Sequence, residues 1–393
     1  MVQKSRRPIT SWHLQKMATA TILITTGVLL LSACGGDTTT QRQAGAAQED
    51  STTDVTASSG SCSDPANWMG CVLPRGDLPI TAITMPGSHD AATYAITTSS
   101  ITANGCGTAP RWVELITAKW ARTQSADLGA QAANGSRYFD IRPYFAADNS
   151  LSTCHTLEGA TFADAFGSDS NFQKFVRSHP NEIFVLDFQH FYAENGGLDS
   201  PNRKKQLNAW VKKQLGDVLV PRINDSSKLI DTNIKTMRAE RQNVIVLAQD
   251  DWATDLNIWP RSANLYSEWN DVSQPALTFW QAGLTEGHEQ WPLDLAEREL
   301  GVLSRAPQTG TLNVLNYILD TNCPLDQIGS ASCYSAYALW AGTVSNSKEW
   351  LFPRIPSMSR QMGRLSRPAV LMRDVASEGN NAPIWNINTQ EMS

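Results

Sequence analysis

Two histidines and an arginine in the first half of the chain are residue types that can cleave a phosphodiester together. His89 and His155 can exchange protons near neutral pH, so one can act as a base and the other as an acid. Arg142 lies between them in the sequence, and a guanidinium can hold a phosphate through two parallel hydrogen bonds. These groups are sufficient to drive an internal hydroxyl onto phosphorus without a metal ion.

Several segments around these residues resemble the X domain of phosphatidylinositol-specific phospholipase C, most closely the X-domain-only proteins. They are PGSHD at 86–90, WARTQ at 120–124, GSRYFDIR at 135–142, HPNEI at 179–183, DFQHFY at 187–192 and the late segment that holds Asp374. The resemblance covers most of residues 82–388. It implies an α/β fold, an irregular TIM-type (β/α)8 barrel that forms a single catalytic domain.

The resemblance gives each candidate catalytic residue a role. His89 would be the general base that deprotonates the inositol 2-hydroxyl, and His155 the general acid that protonates the leaving alkoxide. Asp374 would orient His89 and fix its tautomer, as carboxylates do in other acid–base dyads. Arg142 would face the phosphate where metal-dependent relatives bind calcium. Asp90 would support either His155 or Arg142.

Three candidate substrate-binding residues follow from the same segments. Asp140 is expected to hold the guanidinium of Arg142, because residues i and i+2 of a strand share one face. Gln189 departs from the family patterns, since calcium-dependent relatives carry a glutamate there and the secreted bacterial lyases a lysine. Asp187 is placed to support the pocket.

A fourth candidate substrate-binding residue, Arg261, lies in the tryptophan-rich segment 252–280. Aromatic and acidic side chains in this segment could bind a sugar-like ring, although ordinary core tryptophans are the simpler interpretation. The resemblance to the metal-independent members implies no metal ion and no cofactor.

The apolar patterning indicates alternating strands and helices, which favours a parallel sheet, open or closed. Short buried strands are predicted at 80–85, 138–143, 183–188, 244–248, 312–319 and 370–375. Helices are predicted at 162–177 and 203–215, where apolar residues recur at helical spacing. Polar residues follow several of the strands, where a barrel carries its active site.

The N-terminus resembles a bacterial lipoprotein signal peptide. A positive start is followed by an apolar run at about 18–31 that ends in LSAC at 31–34. The prediction is a signal peptide at 1–33 and a lipid on Cys34; a membrane anchor helix is the alternative. Residues 34–60 are too polar to fold and would form a tether, which leaves 61–393 for the catalytic barrel.

Seven cysteines are present, and six remain once Cys34 is set aside. An even number in an exported chain indicates disulfides, and the spacings contain no C-x-x-C pair of the kind that zinc sites use. Neighbours in sequence favour pairing Cys62 with Cys71 and Cys323 with Cys333. That would leave Cys106 to pair with Cys154, beside His155.

The composition and the net charge limit the classes of binding partner that the chain could have. The chain of 393 residues is 41% hydrophobic and 18% charged, as in globular proteins, with a formal net charge of −6. The negative balance argues against nucleic acid and against electrostatic attachment to anionic lipid. The expected partners are a phospholipid substrate at a membrane surface and the membrane itself, through the lipid anchor.

The sequence therefore predicts an exported cell-envelope lipoprotein of the outer membrane or cell surface that cleaves an inositol phospholipid to diacylglycerol and a cyclic inositol phosphate. One alternative is a non-catalytic lipid- or sugar-phosphate-binding lipoprotein on the same barrel. Another is a phosphodiesterase for a different headgroup. A calcium-dependent glycerophosphodiesterase would need glutamate clusters near a His-Arg-Gly motif, which the sequence lacks.

Overall fold

The structure, a computed structural model, describes residues 62–107, 118, 121–198, 200–267, 309–316 and 367–389. The predicted signal peptide and tether, Cys34, Cys323 and Cys333 lie outside these ranges. The chain divides into Met1–Ser58 and Ser59–Ser393, and all described residues belong to the second unit. Within the described residues, no helix has the length and apolar character that a membrane crossing requires.

Eight parallel strands form the main sheet. Their bounds are Met85–Ser88 (β1), Tyr138–Ile141 (β2), Phe184–Phe188 (β6), Val244–Ala248 (β8), Trp259–Pro260 (β9), Leu265–Ser267 (β10), Leu312–Asn316 (β11) and Val370–Arg373 (β12). The order in the sheet is β10-β11-β12-β1-β2-β6-β8-β9. The first strand therefore pairs with the last, as in a closed barrel, while no pairing joins β9 to β10 in the described part of the chain.

One buried apolar cluster fills the inside of the curved sheet. Every strand contributes to it: Met85, Tyr138, Val185, Ile245, Trp259, Leu265, Leu312 and Val370. The alternate residues of β6 and β8 belong to a second cluster, together with residues of the surrounding helices. This two-layer arrangement is that of an irregular TIM-type barrel, and the predicted α/β fold class is confirmed.

A smaller four-stranded sheet interrupts the barrel after β2, and the sequence analysis did not predict it. Its strands are Pro143–Phe145 (β3), Leu151–His155 (β4), Leu157–Thr161 (β5) and Tyr192–Ala193 (β7). β3, β4 and β5 pair antiparallel in sequence order, and β7 lies parallel to β3. Arg142 lies between β2 and this sheet, and His155 is the last residue of β4.

The helices are short apart from one. Their bounds are Trp68–Val72 (α1), Leu128–Ala133 (α2), Phe162–Phe166 (α3), Asn171–Ser178 (α4), Pro201–Leu215 (α5), Ile234–Ala239 (α6), Arg261–Asn264 (α7) and Ala382–Trp385 (α8). Single 3₁₀ turns lie at Ile80–Ala82, Ala91–Ala95, Leu229–Asp231 and Asn386–Asn388. The predicted helix at 203–215 is confirmed as α5, which begins at Pro201.

Two sequence predictions need correction. The strand predicted at 80–85 is a 3₁₀ turn at Ile80–Ala82, and β1 begins only at Met85; a short buried apolar run does not distinguish a strand from a turn. The helix predicted at 162–177 is two helices. It ends at Phe166, and Ser170 starts α4 by accepting a hydrogen bond from the Gln173 amide, so the serine cap outweighs the continuous apolar pattern.

The strand predicted at 244–248 is confirmed with the same bounds, and the other predicted strands are confirmed with slightly shorter ones. Residues 317–319 lie outside the described ranges. Two predicted disulfides are also confirmed: Cys62 bonds to Cys71, and Cys106 bonds to Cys154. Gly87 in the first motif has a steric reason. A Cβ there would lie 2.6 Å from a Val370 methyl group, closer than packed carbon atoms approach.

Candidate active site

The candidate catalytic residues gather at the carboxyl ends of four neighbouring strands. His89 follows β1, Arg142 follows β2, Gln189 follows β6 and Asp374 follows β12. Because these strands are adjacent in the order β12-β1-β2-β6, their ends meet at one edge of the sheet. Parallel strands of a barrel present their active sites at this edge.

A cleft opens over these strand ends and encloses about 340 Å³, part of it open to solvent. Among the described residues, its lining is His89, Tyr138, Asp140, Arg142, Gln189, His190, Arg261, Ser267, Val314, Asn316 and Met372. Nine of these eleven residues carry a polar side-chain group, which suits a hydroxylated or charged ligand.

Three strand ends share an unusual backbone conformation. Asp90, His190 and Val375 each lie two residues beyond the end of a strand, and each has a positive φ, of 42°, 53° and 46° respectively. Left-handed backbone is unfavourable for residues other than glycine, most of all for a β-branched valine. Such strain concentrates at functional sites. Here it turns the chain immediately after His89, Gln189 and Asp374.

Two carboxylates clamp the imidazole of His89. Its Nδ1 lies 2.7 Å from Asp374 Oδ1, and its Nε2 lies 3.2 Å from Asp90 Oδ2. Burial alone would lower the pKa of His89, but the charges of Asp90 and Asp374 outweigh burial and raise this pKa to about 9. In the free protein His89 therefore holds a proton at neutral pH.

Asp90 is the centre of the cluster, because its buried carboxylate faces three other groups. Arg142 Nε lies 2.5 Å from Oδ1, and His155 Nδ1 lies 3.5 Å from Oδ2. Burial raises the pKa of Asp90, but the neighbouring positive charges, Arg142 first, bring it down to about 2. The expectation that Asp90 supports either His155 or Arg142 understates its contacts, since it reaches both of them and His89.

The expectation that Asp140 holds Arg142 is wrong. Arg142 lies beyond the last residue of β2, so the alternation of side chains along a strand does not extend to it. The left-handed turn at Asp90 brings that carboxylate to the guanidinium instead. Asp140 accepts hydrogen bonds from the Asp90 amide, at 3.2 Å, and from the Gln189 side-chain amide.

His155 differs electrostatically from His89. Its Nδ1 donates to the Ala121 carbonyl over 2.9 Å, which directs Nε2 away from that bond. Burial lowers the pKa of His155, and the charge of Asp90 offsets only part of this effect. The rings of His155 and His89 have centroids 6.3 Å apart. One imidazole is therefore neutral and the other protonated, as an acid–base pair requires.

Asp187 lies below the cleft rather than in its lining. It is completely buried, accepts a 2.6 Å hydrogen bond from the Tyr138 hydroxyl, and pairs with Arg261 Nε at 3.1 Å. Asp187 therefore supports the cleft through Arg261 rather than by lining it. Arg261 itself lines the cleft. The sequence patterns did not reveal the hydrogen bond from Tyr138 to Asp187.

The tryptophan-rich segment does not supply a stacking platform in its described part. Trp252 is buried and stacks on Phe191 with 3.9 Å between ring centroids. Trp259 is equally buried and donates its indole N–H to the Val220 carbonyl. Both are core residues, as the simpler interpretation held, and Trp269 and Trp280 lie outside the described residues.

One group of side chains has the spacing of a metal site. Ligand atoms of His89, Asp90 and Asp140 all lie within 4.8 Å of one another. Arg142 already contacts one carboxylate oxygen of Asp90, so a divalent cation at this cluster would stand beside a permanent positive charge. The donor set therefore fits a metal ion poorly.

Comparison with known proteins finds similar sequences and similar folds. No family model matches the chain. The human PI-PLC X domain-containing protein 2 is 30% identical over 185 residues, which is 44% of this chain and 57% of the relative. The human PI-PLC X domain-containing protein 3 is 26% identical over 237 residues, 56% of this chain and 70% of the relative. This chain is similar in sequence to these PI-PLC X domain-containing proteins. The similar region spans 57% of the length of the first relative and 70% of the second.

Solved structures support the same fold. Phosphatidylinositol-specific phospholipase C from Listeria monocytogenes superposes with a TM-score of 0.53 at 16% identity, over 83% of this chain and 98% of that one. A mutant of the Staphylococcus aureus enzyme of the same name gives 0.53 at 17% identity, over 84% and 99%. The X-domain resemblance that the motifs indicate, and the barrel it implies, are confirmed.

Proposed function

We propose that the protein cleaves the phosphodiester of an inositol phospholipid, either phosphatidylinositol or a glycosylated analogue. The products would be diacylglycerol and a cyclic inositol phosphate. The observation that carries the proposal is the cluster His89–Asp90–Arg142–His155 with Asp374, at the carboxyl end of a barrel like that of the bacterial phospholipases. The names of the relatives favour the same substrate class.

The proposed reaction moves one proton onto the protein and one off it. His89 Nε2 accepts the proton of the ring hydroxyl next to the phosphate, and the resulting oxygen bonds to phosphorus. Arg142 faces the non-bridging oxygens and offsets their developing charge. The bond from phosphorus to the glycerol oxygen breaks, and His155 gives that oxygen a proton. The cyclic phosphate and diacylglycerol then leave, and the pair exchanges the proton back.

The free protein holds its shared proton on His89, whereas the proposed reaction needs it on His155. Binding a phosphate beside Arg142 and His155 adds negative charge there, which favours protonation of His155. The reactive form would thus be assembled by the substrate. The pair must hold one proton in total, whichever ring carries it before binding.

The membrane association in this proposal comes from the N-terminus. Lipid on Cys34 and the polar tether that follows would place the barrel at the cell envelope, next to its substrate. The disulfides Cys62–Cys71 and Cys106–Cys154 are in keeping with an oxidising compartment. Cys34→Ser should abolish acyl labelling and leave the precursor uncleaved. Labelled palmitate that remains on this variant would place the anchor elsewhere.

Product analysis by phosphorus NMR tests the activity. Phosphatidylinositol should give a cyclic phosphodiester signal, and phosphatidylcholine presented side by side should give none. His89→Ala and His155→Ala should each lower kcat by at least about a hundredfold, since each removes one arm of the acid–base pair. Binding of phosphatidylinositol without turnover would indicate a binding protein instead. Wild-type turnover in either variant would mean that other residues cleave the bond.

A further inference from the structure

One short segment without a catalytic side chain contacts both histidines of the site, His155 through Ala121 and His89 through Thr123 and Gln124. It consists of residues 121–124, part of the WARTQ motif. Gln124 is buried, and its side-chain amide nitrogen donates to the His89 carbonyl over 2.8 Å and to the Arg373 carbonyl over 3.2 Å. Its amide oxygen accepts from the Ala376 amide over 2.8 Å. One side chain thus bridges the ends of β1 and β12.

Thr123 makes a second connection to the same two strand ends. Its hydroxyl contacts the His89 carbonyl over 3.0 Å, and its own carbonyl accepts from the Val375 amide over 2.8 Å. His89 and Asp374 are therefore both flanked by bonds to this segment. The 2.7 Å contact between His89 Nδ1 and Asp374 Oδ1 depends on how these two strand ends are spaced.

Ala121 connects the segment to the other histidine. Its carbonyl accepts from His155 Nδ1 over 2.9 Å, which places the proton on that nitrogen and leaves Nε2 for the substrate. Ala121 is buried and belongs to a small apolar cluster with Leu157, two residues beyond His155. The position of this carbonyl is therefore fixed by the hydrogen bond with His155 and by the packing of the Ala121 side chain.

We propose that segment 121–124 is a positioning element that sets the two catalytic histidines at a fixed separation, with Gln124 as its central residue. Gln124 holds His89 and Asp374 in register, and Ala121 holds His155 in the orientation and tautomer that the reaction needs. The segment acts through the histidines and does not itself contact substrate. The kinetic part of the proposal rests on the proposed function, whereas the geometric part does not.

Gln173 is a matched control for Gln124. It is equally buried, and its amide nitrogen also donates to two backbone carbonyls, those of Phe166 over 2.8 Å and Gln214 over 2.6 Å. It lies in α4, outside the cleft. Gln124→Met and Gln173→Met therefore both remove two buried donor bonds, and Gln124→Met also removes the bond accepted from the Ala376 amide. Only Gln124 contacts strand ends that carry catalytic groups.

The experiment compares kcat, KM and thermal unfolding of the full chain with these two substitutions. Both should lower the unfolding temperature. Gln124→Met should also lower kcat roughly ten- to a hundredfold with little change in KM, because a small misplacement of reacting groups is costly. Gln173→Met should keep the wild-type kcat. Equal kcat in the two variants would overturn the proposal.

Thr123 gives a second test that is less demanding on folding. Thr123→Val removes the hydroxyl with almost no change of shape, and Thr123→Ser retains it. The valine variant should lower kcat and the serine variant should restore it. A serine variant as slow as the valine one would indicate that packing of the threonine methyl, and not the bond to His89, is what counts, and would contradict the positioning role.

NMR titration of His89 separates failure of this proposal from failure of the proposed function. The ring of His89 faces Asp374, Asp90, Asp140, Arg142 and His155. Gln124→Met should loosen the contact with Asp374 and lower the apparent pKa of His89, whereas Gln173→Met should leave it unchanged. If the wild type cleaves no inositol lipid, this titration still tests the positioning role. An unchanged titration in Gln124→Met would refute it.

Discussion

An arginine lies at each end of β2, and each forms an ion pair with a carboxylate. The two ion pairs differ in how many of their hydrogen-bonding groups have partners within the fold. Before the strand, Arg137 is completely buried and its Nε, Nη1 and Nη2 all donate. Its partner Glu182 also accepts from the amides of Met69 and Gly70. After the strand, the side chain of Arg142 is 20% exposed and meets Asp90 at the cleft.

The contrast lies in what each carboxylate must balance. Glu182 serves one cation and two amides, so its charge is matched by fixed partners within the fold. Asp90 faces Arg142, His89 and His155 with only two oxygens, so its partners compete for it. The Arg137–Glu182 pair, called here the closed pair, connects residues 65–70 to the barrel. The Arg142–Asp90 pair, called here the open pair, is left able to exchange partners. The same pairing of residues thus stabilises the fold at one end of a strand and prepares chemistry at the other.

The largest expected effect is the loss of the closed pair. Glu182→Ala leaves Arg137 charged and buried without its partner, which should lower the free energy of unfolding by about 3–5 kcal/mol. Urea unfolding followed by circular dichroism measures this change. The fraction that remains folded should keep the wild-type kcat. A loss of stability no greater than that of an exposed ion pair would contradict the comparison.

The same substitution at the two arginines should separate fold from chemistry. Arg142→Lys keeps the charge but loses the planar fork, and kcat should fall about 10²–10³-fold, as on loss of a donor to a developing oxyanion. Arg137→Lys should reduce stability and leave kcat unchanged. Paired measurements of kcat and unfolding temperature check both. A stable, fully active Arg142→Lys would show that the guanidinium geometry is dispensable.

The chain itself allowed much of this to be predicted, for a physical reason. Residues that follow short apolar strands meet at one barrel edge, so His89, Arg142 and Asp374 could be placed together before any coordinates. The pairing of Arg137 with Glu182 could not be predicted from the sequence. Both lie in motifs recognised in the sequence, yet no local periodicity encodes a contact between the start of one strand and the turn before another.

The partner of Arg142 was missed for a related reason. Asp140 shares its face only while the strand continues, and β2 ends at Ile141. The left-handed turn that delivers Asp90 has no signature in composition, because aspartate visits that conformation only occasionally and the sequence does not mark where. The small sheet that carries His155 was also hidden, since its strands are only two to five residues long.

The pH dependence of kcat/KM gives a finer test of the difference between the two ends of β2. Below the pKa of His155, which lies under its ordinary value of 6.5, both histidines are protonated and no base remains. Above about 9 both are neutral and no acid remains. The profile of kcat/KM should therefore be bell-shaped, with its alkaline limb near pH 9.

Removing Asp90 should move that limb. Asp90→Asn deletes the charge that contributes most to raising the pKa of His89, so in whatever activity remains the alkaline limb should shift to lower pH. Glu182→Gln, the corresponding change at the closed pair, should leave both limbs in place. A limb that shifts equally in both variants would mean that the titration reports general loosening of the fold.

The smallest expected effect is that of chelation, and the open pair explains why. Ligand atoms of His89, Asp90 and Asp140 are close enough to hold a cation, but Arg142 Nε lies 2.5 Å from Asp90 Oδ1 and already supplies the positive charge that a metal ion would bring. Gln189 adds no carboxylate, since its amide is neutral. Activity on phosphatidylinositol should therefore survive excess EDTA, and added calcium should not increase it. Complete loss on chelation with rescue by calcium alone would overturn this role of Arg142, and would mean that the open pair separates on substrate binding to admit a metal ion.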